Sequence, residues 1–385
     1  MTATLPAPTE LEVLANLLLG VDRDEPRPAL PPATGIGPRA ALEDIVRESL
    51  VEAPCVVSFS GGRDSSAVLA VAAHVARREG LPPPIPATMR FPGVASSDET
   101  EWQDLVLDHL GLGERITVSI DDELDAIGPA ATEQLLRHGV RWPVNAHMHG
   151  PVVAAASGGR VLTGVGGDEL FSTRGALHVL VAHREARPRL RDVPGIALAL
   201  LPRSVRAAAW QRRRAPHYPW LSAAGRDRVD AALARDTAAW PHRWDDSLRH
   251  WYASRAFRAV RDTLPVLAAD AGVRLVNPFV ATPVLAELVA AGGATGFPSR
   301  TDAMVQLVGD LLPSPVLARS SKAAFTNAVR GTHTRAFAAA WDGTGVDPSL
   351  VDVDALRAEW SSDDPDANSM LVLQAAWLAQ ARPAT

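Results

Sequence analysis

Residues 56–66, VVSFSGGRDSS, constrain the fold more than any other stretch: an apolar strand runs into two glycines and then straight into a helix start. Cys55 to Phe59 reads as a buried parallel strand. Gly61 and Gly62 open backbone conformations closed to residues with a side chain, and Ser65 and Ser66 suit a helix N-terminus. Ala67, Val68, Val71, Ala72 and Val75 then form an apolar stripe, with Arg77 and Arg78 in the last turn and Gly80 as terminator. A strand, a glycine turn and a helix in that order make an anion site. Amides of the turn and of the first helical turn converge on one place, at the positive end of the helix dipole.

The turn is neither of the two common nucleotide loops, since GxxxxGK followed by Ser or Thr is absent and so is GxGxxG. A second motif of the same design follows at residues 161–171, VLTGVGGDELF, where a short apolar strand breaks into glycines and an acidic pair. The interval leaves room for two strand and helix units. Ser-Gly-Gly-x-Asp-Ser resembles the signature of ATP pyrophosphatases, which break ATP between its α- and β-phosphates. The two motifs together resemble the synthetase domain of the asparagine synthetase family, which includes the β-lactam synthetases and the lasso-peptide macrolactam cyclases. The resemblance covers residues 40 to 375 and is strongest at the two glycine motifs.

That resemblance implies an α/β fold: a doubly wound parallel sheet of the adenine-nucleotide α-hydrolase (PP-loop) type with a helical C-terminal lobe. It implies ATP and Mg²⁺, with Asp64 and Asp168 as the metal ligands. The nucleotide-binding positions it implies are Ser58, Ser60, Gly61, Gly62, Asp64, Ser65, Met89, Thr163, Gly164 and Gly166, with the backbone of Met89 meeting the adenine. Residues 300–325 keep the family's spacing of a basic residue, a Leu-Pro and a late lysine. That lysine is Lys322, which the resemblance casts as the cation that stabilises charge on the adenylate and on the tetrahedral intermediate. A physical reason for two aspartates stands apart from the family: departing pyrophosphate carries several negative charges, and carboxylates from two strand ends can hold the oxygen-loving ion that neutralises them.

The rest of the chain supplies strand and helix in alternation. We expect a helix over residues 39–51 and strands over residues 84–91 and 115–120. Between the strands, Ser96 and Glu99 form a capping-box pattern opening a helix that runs to Leu110. In an open parallel sheet the ligand lies beyond the carboxyl ends of the strands, which groups Ser60, Asp64, Met89 and Gly164 around one crevice. We divide the chain into an N-terminal arm or linker (1–38, with a short helix around residues 10–19), an ATP pyrophosphatase α/β core (39–229) and a helical lobe completing the site (230–385). Within the lobe, LVNPF at residues 275–279 stands where relatives carry an arginine and Pro-Phe-Leu-Asp; the flanking arginine and the closing aspartate are missing.

A net charge of −6 gives no general pull toward nucleic acid or an acidic membrane, and no apolar run approaches the ~18 residues of a span. No basic segment precedes the first apolar stretch, so the expected location is the cytoplasm. The single cysteine, Cys55, is a core residue rather than a nucleophile. His147 and His149 form an HxH pair with no third ligand close in sequence, and we read them as structural or substrate-facing rather than as a zinc site. Residues 184–214 hold many arginines against Glu185 and Asp192. They form either a solvated insertion or a surface that grips an acidic partner.

One departure from the family bears on function. After Gly164 comes Val165, where asparagine synthetases place a glutamate and β-lactam synthetases a tyrosine that helps deprotonate the attacking amine. Valine cannot take a proton. Glu169, another group or the substrate's own phosphate oxygens must do so, and the enzyme leans on positioning its reactants. Position 2 is Thr rather than the nucleophilic cysteine of the family's glutaminase domain, and too few residues precede the first glycine turn to hold that domain, so glutamine is not the expected nitrogen donor. The expectation is an AMP-forming carbon–nitrogen ligase that activates a carboxylate as an acyl-adenylate, releases pyrophosphate and joins the acyl group to an amine in a natural-product or peptide macrolactam pathway. Its partners are a small-molecule or peptide carboxylate and an amine, with room for a separate partner protein or leader peptide. The alternatives are an ammonia-using asparagine synthetase subunit and a nucleotide-binding regulator that has lost its chemistry.

Overall fold

The computed structural model describes residues 5–21, 28–52, 54–92, 94, 97–156, 158–171, 197–198, 200–213, 218–319, 331–363 and 365–382. Five parallel strands form the sheet: β1 (Cys55–Ser58), β2 (Ile85–Arg90), β3 (Ile116–Ser119), β4 (Arg160–Leu162) and β5 (Arg274–Val276), in the order β3-β2-β1-β4-β5. From β1 the chain winds outward through β2 to β3, then returns to place β4 on the other side of β1. The order therefore reverses between β1 and β4, and an open α/β sheet holds its ligand at the carboxyl ends of the strands flanking such a reversal. In register, Val56 faces Val161 and Val57 faces Leu162, so the two glycine turns leave the sheet side by side.

Helices cover both faces, which is why β1 is apolar at successive positions. Val57, Phe59 and Leu162 pack on one face with α2 (Pro38–Leu50) and α3 (Arg63–Glu79), through Leu42, Val46, Leu50, Val68 and Leu69. Val56, Ala87, Val161 and Leu275 pack on the other with Val152 and Val153 of the short helix 150–155 and with Leu264 and Ala268 of the helix 255–270. The α3 stripe read from the sequence is buried in full, and each Val or Leu so buried contributes about 2 kcal/mol. Gly80 ends α3 with φ +66°, a conformation that favours glycine. Between β2 and β3 runs α4 (Thr100–Leu110), and after β4 comes the short α5 (Gly167–Phe171). A core away from the sheet joins Leu14 and Ala15 to Trp220, Trp341, Trp360 and Leu373.

Three details differ from the sequence reading. The stretch read as an all-helical lobe supplies β5, a strand of three residues, too short to show a period of its own. The described part of residues 1–38 is docked rather than a free arm: its helix (Glu10–Ala15) buries Glu12 against Arg255, Asn16 Oδ1 accepts from the Leu371 amide at 2.9 Å, and the Gly20 amide donates to Asp236 at 2.8 Å. Ser96 lies outside the described residues. Glu99 is the residue before the first turn of α4 rather than inside it; its side chain makes no capping bond and pairs instead with Arg319, 220 residues away. Among the described residues no helix is long and apolar enough to cross a membrane.

Candidate active site

The first glycine turn joins β1 to α3. Gly61 has φ +84°, and a Cβ there would lie 3.0 Å from the Gln103 side chain and 3.4 Å from Trp102, so α4 sits tight behind the turn. The N-terminus of α3 at Gly62 carries no side-chain cap, which leaves its amides to the crevice. Ser65 Oγ holds the turn from within, accepting from the Ser60 amide at 3.2 Å and donating to the Gly62 carbonyl at 3.1 Å. Ser60 is exposed at the rim, and its hydroxyl accepts from the Gly62 amide at 3.3 Å. From outside, Gln103 Nε2 donates to the Ser60 carbonyl at 3.2 Å and Arg319 Nη1 to the Gly61 carbonyl at 3.1 Å.

The second turn, from β4 into α5, lies directly against the first. A Cβ on Gly164 would stand 2.7 Å from the Ser65 amide nitrogen, one on Gly167 2.3 Å from Asp64 Cγ, and one on Gly166, at φ +95°, 2.4 Å from Val280. At Gly164 glycine is needed because the two backbones touch, and at Gly166 and Gly167 because the side chains of Val280 and Asp64 fill the space. Thr163 is buried at the end of β4. Its hydroxyl donates to Asn277 Oδ1 at 2.6 Å and accepts from the Val165 amide at 3.1 Å, tying the turn to the residue after β5.

This contact brings Asp64 and Asp168 together. Arg300, from the first turn of the helix 300–308, donates Nη2 to both oxygens of Asp64, at 2.7 and 2.5 Å, and Nη1 to Asp168 Oδ1 at 2.6 Å. One guanidinium thus holds both carboxylates. Burial pushes the Asp64 carboxyl above the usual carboxylate range, with Arg300 pulling the other way and Asp168 adding repulsion. Burial works against the charge of Arg300 too, but its two carboxylate partners raise its pKa on balance. A buried carboxylate of this kind needs a cation, and two oxygen donors converging on one place fit Mg²⁺. Among the described residues no group of three or more His, Cys, Asp or Glu could hold a metal, so phosphate oxygens and water would have to complete its coordination.

Ser58 and Met89 lie at the carboxyl ends of β1 and β2, where Met89 pairs in register with Val118 of β3. Val165 is half-buried and packs against the cores on both faces of the sheet, and Glu169 is half-buried in the first turn of α5. Lys322 lies outside the described residues, as do residues 184–196, 199 and 214 of the arginine-rich stretch, whose helix Arg203–Arg213 is described. His147 is buried with Nε2 at 3.1 Å from the Leu124 carbonyl, and burial lowers its pKa and pushes that of His149 down to about 4. The buried His147 ring, bonded to backbone, fits the structural reading, while His149 is half-buried. The Cys55 thiol is pushed up to about 12 by burial, which leaves it inert at neutral pH. Sequence reading marked Arg300 only as the basic residue of a spacing and missed Gln103, Asn277 and Arg319 altogether; they reach the site from distant stretches of chain, and no local pattern marks them.

A family model described as asparagine synthase matches residues 38–281, well over half of the chain, including both glycine turns, α4 and β5. No curated protein matches.

Proposed function

Because this chain belongs to the asparagine synthase family, whose members are ATP-dependent synthetases, we propose that it is an AMP-forming carbon–nitrogen ligase acting on a substrate larger than aspartate. The carboxylate oxygen of that substrate attacks the α-phosphorus of ATP and pyrophosphate leaves, giving an acyl-adenylate. An amine nitrogen then attacks the acyl carbon, the bond to AMP breaks, and the amine gives up one proton. The observation that carries this reading is the convergence of Asp64 and Asp168, from the first turns of the helices that follow two neighbouring strands, on the Arg300 guanidinium.

In this scheme the amides of the first turn and of α3 would hold phosphate oxygens, and Asp64 and Asp168, whose oxygens bond Arg300 here, would hold Mg²⁺. The ion would supply charge neutralisation for the departing pyrophosphate. Lys322, three residues beyond Arg319, is the proposed cation for the second step, and Glu169 the proposed proton acceptor. Val165 separates the readings. Its isopropyl group packs into the cores and offers no base where an ammonia-using enzyme needs one, which favours an amine presented by a large substrate, as in amide or macrolactam formation in a specialised pathway.

The test incubates the protein with Mg·ATP, aspartate and ammonium and measures asparagine and AMP together, beside a screen of carboxylates for pyrophosphate exchange. We expect little or no asparagine, and exchange with a larger acid. Stoichiometric asparagine and AMP would reject the specialised reading, and ADP with phosphate would reject pyrophosphate release.

A further inference from the structure

Behind the first glycine turn, on the side away from the crevice, sits a polar assembly that the proposed chemistry does not use. Arg319 follows the short helix 314–318 and is buried, as is its partner Glu99, whose Oε1 accepts from Arg319 Nη2 at 2.6 Å. The guanidinium lies over the Trp102 ring with its carbon 4.6 Å from the centroid, and its Nη1 donates to the Gly61 carbonyl. One turn along α4, the buried Gln103 donates to the Ser60 carbonyl. Two successive carbonyls of the turn are therefore drawn toward α4 by two side chains, one of them a buried charge paired with Glu99.

A trans peptide is planar, and its N–H points opposite to its C=O. Holding the Ser60 carbonyl back against α4 turns the Gly61 N–H forward, and holding the Gly61 carbonyl does the same for the Gly62 N–H. The Gly62 amide indeed reaches forward, to the exposed Ser60 hydroxyl. The same two bonds keep the negative ends of the peptide dipoles away from a bound phosphate. A glycine turn has no side chains of its own to enforce this, and Gly61 at φ +84° could relax into other conformations.

We propose that Arg319, seated by Glu99 and Trp102, is the positioning residue that aims the amides of the first turn at phosphate, with Gln103 as its companion. The inference rests on the reading of that turn as the ATP site and adds to it the residues that preorganise it. Arg319 and Gln103 act through the backbone and not by touching the nucleotide, so their loss weakens grip on phosphate and leaves grip on adenosine alone.

The experiment measures binding of Mg·ATP, inorganic pyrophosphate and adenosine by calorimetry to the full chain and to Arg319→Met, Arg319→Lys, Gln103→Leu and the double variant Arg319→Met/Glu99→Gln. The double variant leaves no stranded carboxylate in the interior and so keeps the comparison on folded protein, checked by its melting temperature. We expect ATP and pyrophosphate to bind at least ~10-fold more weakly to Arg319→Met and to the double variant, with adenosine unchanged and with Arg319→Lys recovering part of the loss. Unchanged ATP and pyrophosphate binding in a folded double variant would overturn the inference and leave the ATP reading standing. Equal losses for ATP and adenosine would also overturn it, in favour of a merely structural role. Wild-type protein that binds neither ATP nor pyrophosphate would overturn the ATP reading and the inference together.

Discussion

The two glycine turns stand on neighbouring strands and each delivers one aspartate to the same guanidinium, yet they are fixed in opposite ways. The first is held by side chains brought to it: Ser65 from inside, Gln103 and Arg319 from behind. The second has one side-chain tie, Thr163 with Asn277 behind it, and owes the rest to side chains withheld, since Gly164, Gly166 and Gly167 let it lie against Asp64, Ser65 and Val280 at distances no Cβ permits. The difference follows from what each turn must do. A turn that binds an anion through its own amides needs its carbonyls tied elsewhere, whereas a turn that carries a carboxylate to a fixed place needs only to come close enough.

If both turns serve one metal, the aspartates are equivalent in chemistry despite unequal surroundings; the Asp64 side chain is 18% exposed and that of Asp168 51%. Asp64→Asn and Asp168→Asn are each expected to lower AMP and pyrophosphate release by at least ~10²-fold, because each removes a ligand from a transition state built on phosphate charge. Parallel product assays on the two variants check this. Near-wild-type turnover in either variant would break the pairing of the turns.

The steric half of the comparison is tested by adding one methyl group to each turn. In Gly167→Ala the new carbon would stand 2.3 Å from Asp64 Cγ, so the carboxylate or the turn must move; overpacking of this kind costs about 1–3 kcal/mol and should cut turnover at least ~10-fold. Gly62→Ala meets only the exposed Ser60 hydroxyl, at 3.3 Å, with φ −72°, and should melt within about 2 °C of wild type. Melting curves and turnover for both variants decide it. Equal destabilisation would mean that the first turn, too, is set by close approach.

The two turns themselves were legible in the sequence, though not the contrast between them, and the reason is physical. Strand, glycine turn and helix at residues 55–79 succeed one another within a few residues, so the periodicity of Val56 to Val75 and the two glycines state the local structure directly. The aspartates were singled out by the resemblance to a family that carries them just after such turns. What stayed hidden is whatever the fold assembles from afar. Glu99 read as part of a helix cap because its neighbours suggested one; its partner Arg319 lies 220 residues on, and a single arginine carries no period. Arg300 was visible as a charge but not as the bridge between two carboxylates. The docked N-terminal helix was hidden likewise, since Glu12 looks solvated until Arg255 arrives beside it.

The smallest effect on the nucleotide is expected at Val165, the residue that follows Gly164 in the second turn. Its amide is bonded to Thr163 Oγ1 through the backbone, which a substitution preserves, and its side chain is half-buried against the cores. Val165→Glu should therefore cost about 1–2 kcal/mol in stability, from lost apolar contact and a carboxylate at a partly enclosed position, while ATP affinity stays within about twofold. Calorimetric titration with Mg·ATP and a denaturant melt check the two halves separately. If the second turn is held by backbone contact alone, the nucleotide does not sense which side chain follows Gly164. A loss of ATP affinity of ~10-fold or more would show that it does, and that the second turn, like the first, is organised around the ligand rather than around its neighbour.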